Sequence, residues 1–417
     1  MNKLLLLATV SILFAISACK LTQEGRIMLD PSELTTIKDS LPNNQESAPK
    51  AAWANVVSNP LNAAVTSNVA LAMFNGNTPY VAYADGVGVS FKLAVKACSG
   101  GATCTAWTTV GTNISTNQAY DIGMDVYNNA GTANPYVVYR ELVTMNPLTF
   151  KPVVKMYNGS SWSDVGNISS LLRSTVPFDW YPQIAVFDNS GVAVPYVVAK
   201  NKVMYYNGYN WAYFGLSVPG PVVGYPKISI YNDGGAAVPY IAYHDTYATP
   251  NYDQATVVKY NNLTNSWDFV GPRGFSFDGI QSDTVGNISF YLTAAGTPYA
   301  FYKNNGTGAG VVKKFDGVSW VNVANTPVNT FTAYEAVAVD ESNSDVYVAY
   351  RDGSSNDKIT VKKSVGGTAN WALVGTAGSA SSGSANYIGI RIDTTNHAPI
   401  VSYEDHTLSG IYVKKYQ

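Results

Sequence analysis

Residues 225–271 read YPKISIYNDGGAAVPYIAYHDTYATPNYDQATVVKYNNLTNSWDFVG and contain one complete unit of a repeating pattern. Tyr225–Tyr231 alternates apolar with other residues, and an Asn-Asp-Gly-Gly segment follows it. Further short runs occupy Val238–Tyr243, Thr256–Tyr260 and Ser266–Gly271. Period-two alternation between clusters of Gly, Asn and Asp is the signal of short strands joined by hairpins. The stretch therefore predicts four consecutive antiparallel strands.

The tryptophan near the start of the fourth strand recurs along the whole chain. Seven of the eight tryptophans open a similar phrase, most often Trp-x-x-Val-Gly, at intervals of roughly 50 residues. A repeat of this length is typical of supersecondary units that bury their hydrophobic faces only against their neighbours. The seven are Trp53, Trp107, Trp162, Trp211, Trp267, Trp320 and Trp371.

The other strands recur in the same order, the second one as TPYVAY at 78–83 and as APIVSY at 398–403. Seven four-stranded repeats predict an all-β, seven-bladed β-propeller of four-stranded blades. The chain ends on a third strand, whereas residues 51–58 form a lone tryptophan strand before the first full repeat. We therefore expect the ring to close by pairing of the N-terminal strand 51–58 with the C-terminal strands 385–417. An open ring would expose a long sheet edge.

The first residues have the pattern of a secretory signal. Lys3 precedes the apolar stretch Leu4–Ile16, which is short for a membrane span. The phrase Ile16-Ser17-Ala18-Cys19 resembles the bacterial lipobox, which implies cleavage before Cys19 and its acylation. In an organism with two membranes, Lys20 after the cysteine then favours the outer membrane. An ordinary signal peptide that contains a cysteine is the alternative.

The predicted organisation is thus a lipoprotein signal peptide at 1–18, a lipidated cysteine and flexible spacer at 19–50, and the propeller at 51–417. The expected protein is an exported bacterial membrane lipoprotein with a monomeric propeller. It would contact the lipid bilayer through acylated Cys19, because several acyl chains on one residue make a stable anchor.

Composition and cysteine spacing narrow the possible functions. A net charge of −2 and a pI near 5.9 argue against a nucleic-acid partner. Cys98 and Cys104 flank a predicted hairpin loop in an exported chain, so a disulfide between them is expected, with two free thiols as the alternative. Their spacing fits no familiar zinc pattern, and we predict neither a metal nor a cofactor.

These repeats resemble known propeller families of the exported, lectin-like or sensor-like kind. The Trp-x-x-Val-Gly phrase resembles tectonin-type repeats, and Val339-Asp340 followed by Val346-Tyr-Val-Ala349 resembles NHL-type repeats. The resemblance implies that a ligand meets the face that carries the loops between blades. The chain lacks the sialidase Asp-box, the Gly-His and Trp-Asp pair of WD40 repeats and the kelch Gly-Gly signature.

Two sets of residues are predicted to lie on that face. One is the polar pair that follows each second strand, for which ordinary solvated turn residues are the alternative. From these pairs we select as ligand-binding candidates Arg140, His244, Asp245, Arg351, Asp352, Glu404 and Asp405. The other set consists of aromatic residues at the start of several first strands, for which packing between blades is the alternative. Its members are Tyr120, Trp180, Tyr181, Tyr225, Tyr334 and Tyr387.

Catalytic residues are not evident. His244 and His406 belong to repeats on nearly opposite sides of the expected ring, and His397 belongs to the other face, so no shared zinc or acid–base cluster is predicted. The sequence favours a non-catalytic binding protein that recognises a glycan or an envelope protein through one propeller face. The alternatives are an envelope assembly scaffold and a hydrolase or lyase with a site in the central channel.

Overall fold

The computed structural model describes residues 20–21, 27–28, 51–57, 60–62, 68–86, 91–100, 104–172, 181–220, 223–246, 253–279, 284–324 and 327–417. The chain divides into the units Met1–Ala51 and Ala52–Gln417. In the first unit, β1 (Lys20–Leu21) pairs antiparallel with β2 (Ile27–Met28). The predicted signal peptide and Cys19 lie outside the described residues. Across the part of the chain that is described, no helix has the length and hydropathy to cross a bilayer.

The second unit is all-β and contains seven four-stranded antiparallel sheets, which we call blades 1 to 7. Blade 1 consists of β4 (Val69–Phe74), β5 (Thr78–Asp85), β6 (Lys92–Ser99) and β7 (Ala106–Thr109). Blade 2 consists of β8 (Ala119–Asn129), β9 (Thr132–Met145), β10 (Leu148–Tyr157) and β11 (Trp162–Asp164). Blade 3 consists of β12 (Gln183–Asn189), β13 (Val192–Ala199), β14 (Lys202–Tyr206) and β15 (Trp211–Tyr213). Blade 4 consists of β16 (Val223–Asp233), β17 (Ala236–Asp245), β18 (Gln254–Asn261) and β19 (Ser266–Phe269).

The remaining blades follow the same order. Blade 5 consists of β20 (Val285–Leu292), β21 (Pro298–Asn304), β22 (Gly310–Phe315) and β23 (Trp320–Asn322). Blade 6 consists of β24 (Thr332–Asp340), β25 (Asp345–Asp352), β26 (Lys358–Ser364) and β27 (Ala372–Leu373). Blade 7 consists of β28 (Ala385–Asp393), β29 (Ala398–Asp405), β30 (Gly410–Tyr416) and β3 (Trp53–Asn55). Short 3-10 helices occupy Ile168–Ser170, Gly353–Ser355 and Val365–Gly367.

The first strands of the blades contact one another in succession, and β28 of blade 7 contacts β4 of blade 1. These strands therefore surround the central channel. The predicted closure is confirmed, since Trp53 pairs with Tyr416 and Asn55 with Lys414 across β3 and β30. Beside this ladder, Ala52 N–H donates to Gln417 O at 2.7 Å and receives the reciprocal bond at 3.0 Å.

Five of the repeated tryptophans join their blade to the one before it through a hydrogen bond. In four cases the indole N–H donates to the valine carbonyl of the preceding blade's Trp-x-x-Val-Gly phrase, at 2.5–2.7 Å. The glycine after that valine has a positive φ, and a Cβ on Gly271 would lie 3.0 Å from Trp320 Cδ1 of the next blade. Glycine is therefore needed both for the backbone conformation and for the close approach. The donors and acceptors are Trp162 to Val110, Trp211 to Val165, Trp320 to Val270 and Trp53 to Val374.

Two blade junctions depart from this pattern. Trp267 donates to the carbonyl of Leu216, at 2.9 Å. Trp371 follows the phrase that ends in Ala324, a non-glycine residue with φ 57°, and its buried indole nitrogen has no hydrogen-bond partner among the described residues. The loss of the glycine thus coincides with the loss of the indole bond.

The predicted disulfide between Cys98 and Cys104 is confirmed, with the two Cα atoms 5.4 Å apart. It links Cys98, near the end of β6, to Cys104, two residues before β7 begins. The closing tyrosine of the second strand is fully buried in six blades, whereas blade 3 has Ala199 at that position. The six are Tyr83, Tyr139, Tyr243, Tyr302, Tyr350 and Tyr403.

Candidate functional site at the channel mouth

All seven first strands begin at the same end of the channel, which we call the mouth. In five blades the pairing of first and second strands is interrupted at this end by a bulge, for example between Tyr120 and Gly123 and between Asn386 and Gly389. In six blades a non-glycine residue with positive φ stands in or just before the start of the first strand. These residues, the mouth ring, are Asn68, Asp121, Tyr181, Tyr225, Tyr334 and Tyr387.

Four members of the mouth ring are tyrosines, with φ between 27° and 54°. A side chain with a Cβ pays roughly 1–2 kcal/mol to adopt this conformation. Residues held in such backbone conformations cluster at binding and catalytic sites, because surrounding structure must enforce them. The mouth ring therefore marks this end of the channel as the candidate site.

The ring tyrosines pair across blade boundaries. The centroids of Tyr181 and Tyr225 are 4.4 Å apart, and those of Tyr334 and Tyr387 are 5.5 Å apart. Tyr225 is 38% exposed and the other three are half-buried. Burial, together with the neighbouring tyrosine, raises the pKa of Tyr181 and of Tyr387 to about 12. Their hydroxyls are therefore protonated at neutral pH and can donate hydrogen bonds.

Two predicted arginines support this ring. Arg140 forms an ion pair with Asp121 of the ring, and its guanidinium lies 4.6 Å from the centroid of Phe150. Arg351 lies 4.9 Å from the centroid of Tyr334, and its Nη1 donates to Asn386 Oδ1 at 2.9 Å. Arg140 lies within β9, which continues to Met145, and Arg351 is the penultimate residue of β25.

Glu404 and His244 hold the same position in blades 7 and 4. The buried Glu404 carboxylate accepts a hydrogen bond from Asn386 Nδ2 at 3.3 Å. His244 Nε2 lies 3.1 Å from Asp253 Oδ1, but burial outweighs this carboxylate and lowers the pKa of His244. The imidazole is therefore mostly neutral at neutral pH.

The second residue of each polar pair has a different role. Asp245, Asp352 and Asp405 are at most 3% exposed. Asp245 accepts two hydrogen bonds from Arg273, Asp352 accepts one from Thr360 Oγ1 at 2.7 Å, and Asp405 accepts one from Gly383 N–H at 2.8 Å. These three carboxylates anchor the loops around the mouth.

One of the predicted aromatic residues, Tyr120, is not a member of the ring. Tyr120 precedes the ring member Asp121 and packs edge-on against Phe91 at 5.0 Å and Phe150 at 5.1 Å. Its hydroxyl donates to Gln118 Oε1 at 2.8 Å. Trp180 lies outside the described residues.

A buried carboxyl group that sequence reasoning missed lies beside Tyr334. Glu335 is 9% exposed, and its Oε1 has no hydrogen-bond partner among the described residues. Burial raises its pKa, although the charges of Lys303 and Arg351 act in the opposite direction. The residue after the ring member is apolar in the other five blades, namely Val69, Ile122, Pro182, Pro226 and Ile388. Aligning the repeats by this column would have revealed Glu335.

Metal ligands do not converge in the described part of the chain. No group of three or more His, Cys, Asp or Glu side chains there could hold an ion. His397 pairs with Asp340 at 2.9 Å, where the first strand of blade 6 ends, so it lies at the opposite end from the mouth.

Similarity to known proteins is limited to the fold. No family model and no curated protein matches the sequence. A PL25 ulvan lyase solved with -[GlcA(1-4)Rha3S]- is 15% identical, with a TM-score of 0.54 over 86% of this chain and 94% of that one. A GH74 enzyme of Niastella koreensis is 15% identical, with a TM-score of 0.55 over 87% of this chain and 53% of its own. A GH74 xyloglucanase from Xanthomonas campestris is 12% identical, with a TM-score of 0.52 over 87% and 55%. The chain is thus similar in fold to these proteins, and it spans about half the length of the two GH74 chains.

Proposed function

We propose that this protein binds a glycan at the mouth ring and does not cleave it. The observation that carries the proposal is the ring itself, in which four tyrosines are held at positive φ around one end of the channel. Aromatic rings stack on the apolar faces of sugars while their hydroxyls keep hydrogen bonds, and rigid aromatic side chains lose little entropy on binding.

The groups around the tyrosines suit the rest of a sugar. Ligand sites combine an apolar surface with a few polar groups that fix orientation. Here Arg351 and Asn386 supply donors, and Glu335 offers a buried carboxyl oxygen that has no partner among the described residues. A ligand hydroxyl at Glu335 would satisfy that oxygen. Loss of such a hydroxyl would leave it unpaired, which favours discrimination between glycans.

The names of proteins with a similar fold favour a polysaccharide over a protein ligand. They include an ulvan lyase and a xyloglucanase. The hydrolase or lyase alternative is favoured by one residue, because a carboxyl group with a raised pKa, such as Glu335, is suited to act as a general acid. Incubation with acidic and neutral polysaccharides, followed by measurement of new reducing ends and unsaturated products, separates the two functions. Turnover that is lost in Glu335→Gln would replace the binding proposal with the enzymatic one.

The binding proposal is tested with the full-length protein on a polysaccharide array and then by calorimetry. Tyr387→Ala and Tyr225→Ala should each weaken glycan binding at least tenfold, since each removes a stacking surface. Tyr209→Ala is the matched control, because Tyr209 is 86% exposed in the turn between β14 and β15. Absence of binding to every polysaccharide, or equal loss in the control, would contradict the proposal.

We further propose that the propeller is tethered to a bacterial membrane through acylated Cys19. The lipobox-like phrase that ends in Cys19 supports this. Cys19→Ser should move the protein from the membrane fraction to the soluble fraction of the envelope. The scaffold alternative predicts a single stoichiometric partner on crosslinking in cells, and such a partner that is still captured by Tyr387→Ala would favour it.

A further inference from the structure

Charged residues also lie on the strands that surround the channel, beyond the mouth ring. Asp125, Lys227 and Arg391 lie on the first strands of blades 2, 4 and 7. The positive charge of Arg391 acts on Lys227, and Asp125 acts on Arg391. None of these blades is a neighbour of another in the ring, so their side chains can influence one another only across the channel.

The carboxylate and the two cations differ in the hydrogen bonds that they make. Asp125 accepts hydrogen bonds from the backbone N–H groups of Val126 and Val186, both at 2.8 Å. Arg391 Nη1 donates to Ile390 O at 2.9 Å. The Lys227 side chain has no hydrogen bond with any residue that the structure describes. Asp125, the carboxylate beside Arg391, is thus already held by the backbone, whereas the charged neighbour of Lys227 is the cation Arg391.

Such an arrangement is unfavourable without a further partner. An ammonium group enclosed by protein and placed near a second cation loses hydration and gains repulsion. Lys227 and Arg391 are only partly closed to solvent, so a small solute can reach them through the channel. The missing partner of this pair has the chemistry of an anion.

We propose that the middle of the channel is an anion site, in which Lys227 and Arg391 hold a carboxylate or sulfate group. Lys227 follows Tyr225 of the mouth ring by two residues, about 7 Å along a strand. Arg391 follows Tyr387 by four residues, about 13 Å. A sugar stacked on the ring can thus direct an acidic substituent to this site. This inference rests on the proposed glycan binding only in naming the molecule that carries the anionic group. That molecule is then an acidic glycan.

The pH dependence of this site follows from the groups that face it. Burial, together with the charge of Arg391, lowers the pKa of Lys227 to about 8. The other ionisable groups around the pair are Asp125 and Tyr291, and the Tyr291 hydroxyl donates to Glu341 at 2.8 Å. Lys227 is therefore charged at neutral pH. Anion affinity should fall as the pH rises from 7 through 9, because binding then requires uptake of a proton.

The first test uses the full-length protein with sodium sulfate and sodium acetate, measured by calorimetry against sodium chloride at equal ionic strength. Sulfate should bind the unaltered protein, and Lys227→Met should weaken this binding at least tenfold. Removal of an unpaired cation leaves folding intact or improves it. Lys259→Met, a change at an exposed lysine of the same blade, should bind sulfate as the unaltered protein does. Absence of sulfate and acetate binding, or equal binding by Lys227→Met, would overturn the proposal.

The second test identifies the carrier by comparing an acidic oligosaccharide with a neutral one of equal length. Preference for the acidic one, lost in both Lys227→Met and Tyr387→Ala, supports the anion site together with glycan binding. Sulfate binding that persists in Tyr387→Ala, with no oligosaccharide bound, supports a site for a free anion and counts against the proposed glycan function. Tight binding of the neutral oligosaccharide alone, without any anion effect, keeps the glycan function and rejects the anion site.

Discussion

Replacement of Ala324 by glycine should stabilise the propeller. Ala324 stands at φ 57°, where the equivalent phrases of four other blades have a glycine that contacts the next blade's tryptophan. Relief of this backbone conformation is worth about 1–2 kcal/mol, and the greater freedom of glycine in the unfolded chain offsets about 0.4–1 kcal/mol. Removal of the methyl group also lets the unpaired Trp371 indole approach the preceding carbonyl. That hydrogen bond would add about 1 kcal/mol.

The expected net gain is thus about 1–2 kcal/mol in the free energy of unfolding. For a unit the size of Ala52–Gln417, 1 kcal/mol shifts Tm by roughly 1–2 °C, so denaturant midpoints are the more sensitive measurement. The mirror variant is Gly271→Ala, whose new methyl group would lie 3.0 Å from both Trp320 Cδ1 and Phe315 Cε2.

Gly271→Ala should therefore destabilise the protein by more than Ala324→Gly stabilises it. A double-mutant cycle isolates the indole bond. Trp371→Phe should cost more in the Ala324→Gly background than in the unaltered protein. Ala324→Gly with an unchanged or lowered midpoint would refute the inference that the glycine sets the tryptophan bond.

Three further changes have defined outcomes. Serine at both Cys98 and Cys104 should lower the free energy of unfolding by about 2 kcal/mol, because the disulfide no longer restricts this short loop in the unfolded chain. Glycan binding measured by calorimetry should not change. Lys227→Met should raise stability at neutral pH by up to about 3 kcal/mol, since the Lys227 pKa near 8 lies below its ordinary 10.5. Between pH 8 and 10.5 the unfolded state binds more protons than the folded state, so the free energy of unfolding of the unaltered protein should rise with pH. Denaturation curves of the variant should lack that rise. The raised pKa of Glu335 means that the folded state binds its proton more tightly than the unfolded state, so the unaltered protein should lose stability as the pH rises above 4.5. Glu335→Gln should not show this decrease, and the same dependence of stability on pH in both proteins would contradict the prediction.

The repeat pattern was sufficient for the architecture, since it depends on local alternation and on a tryptophan phrase. The mouth was harder to predict because a bulge changes which side of the strand a residue faces. Tyr120 and Tyr225 look equivalent in sequence, yet the bulge places Asp121 rather than Tyr120 in the ring. The same alternation separates His244, which faces Asp253, from the buried Asp245.

The residues of the channel could not be grouped from the sequence at all. Lys227 and Arg391 lie in repeats that are distant in sequence and do not adjoin in space, so only the closed ring brings them near one another. Each of them interrupts an otherwise apolar alternation, which is a local signal. Their nearness to each other, in contrast, depends on closure of the ring.

The pairing of β3 with β30 also sets an order of events during synthesis. The strand that completes blade 7 is made before any other part of the ring, whereas its partner, Gly410–Tyr416, is among the last residues to be made. Until then the early strand has no ladder to join, and its polar backbone must stay hydrated or be shielded by another protein. Ribosome-bound chains of increasing length, each followed by a linker that fills the exit tunnel, should therefore remain protease-sensitive near Trp53 until residue 416 has emerged, even when the middle blades already resist digestion.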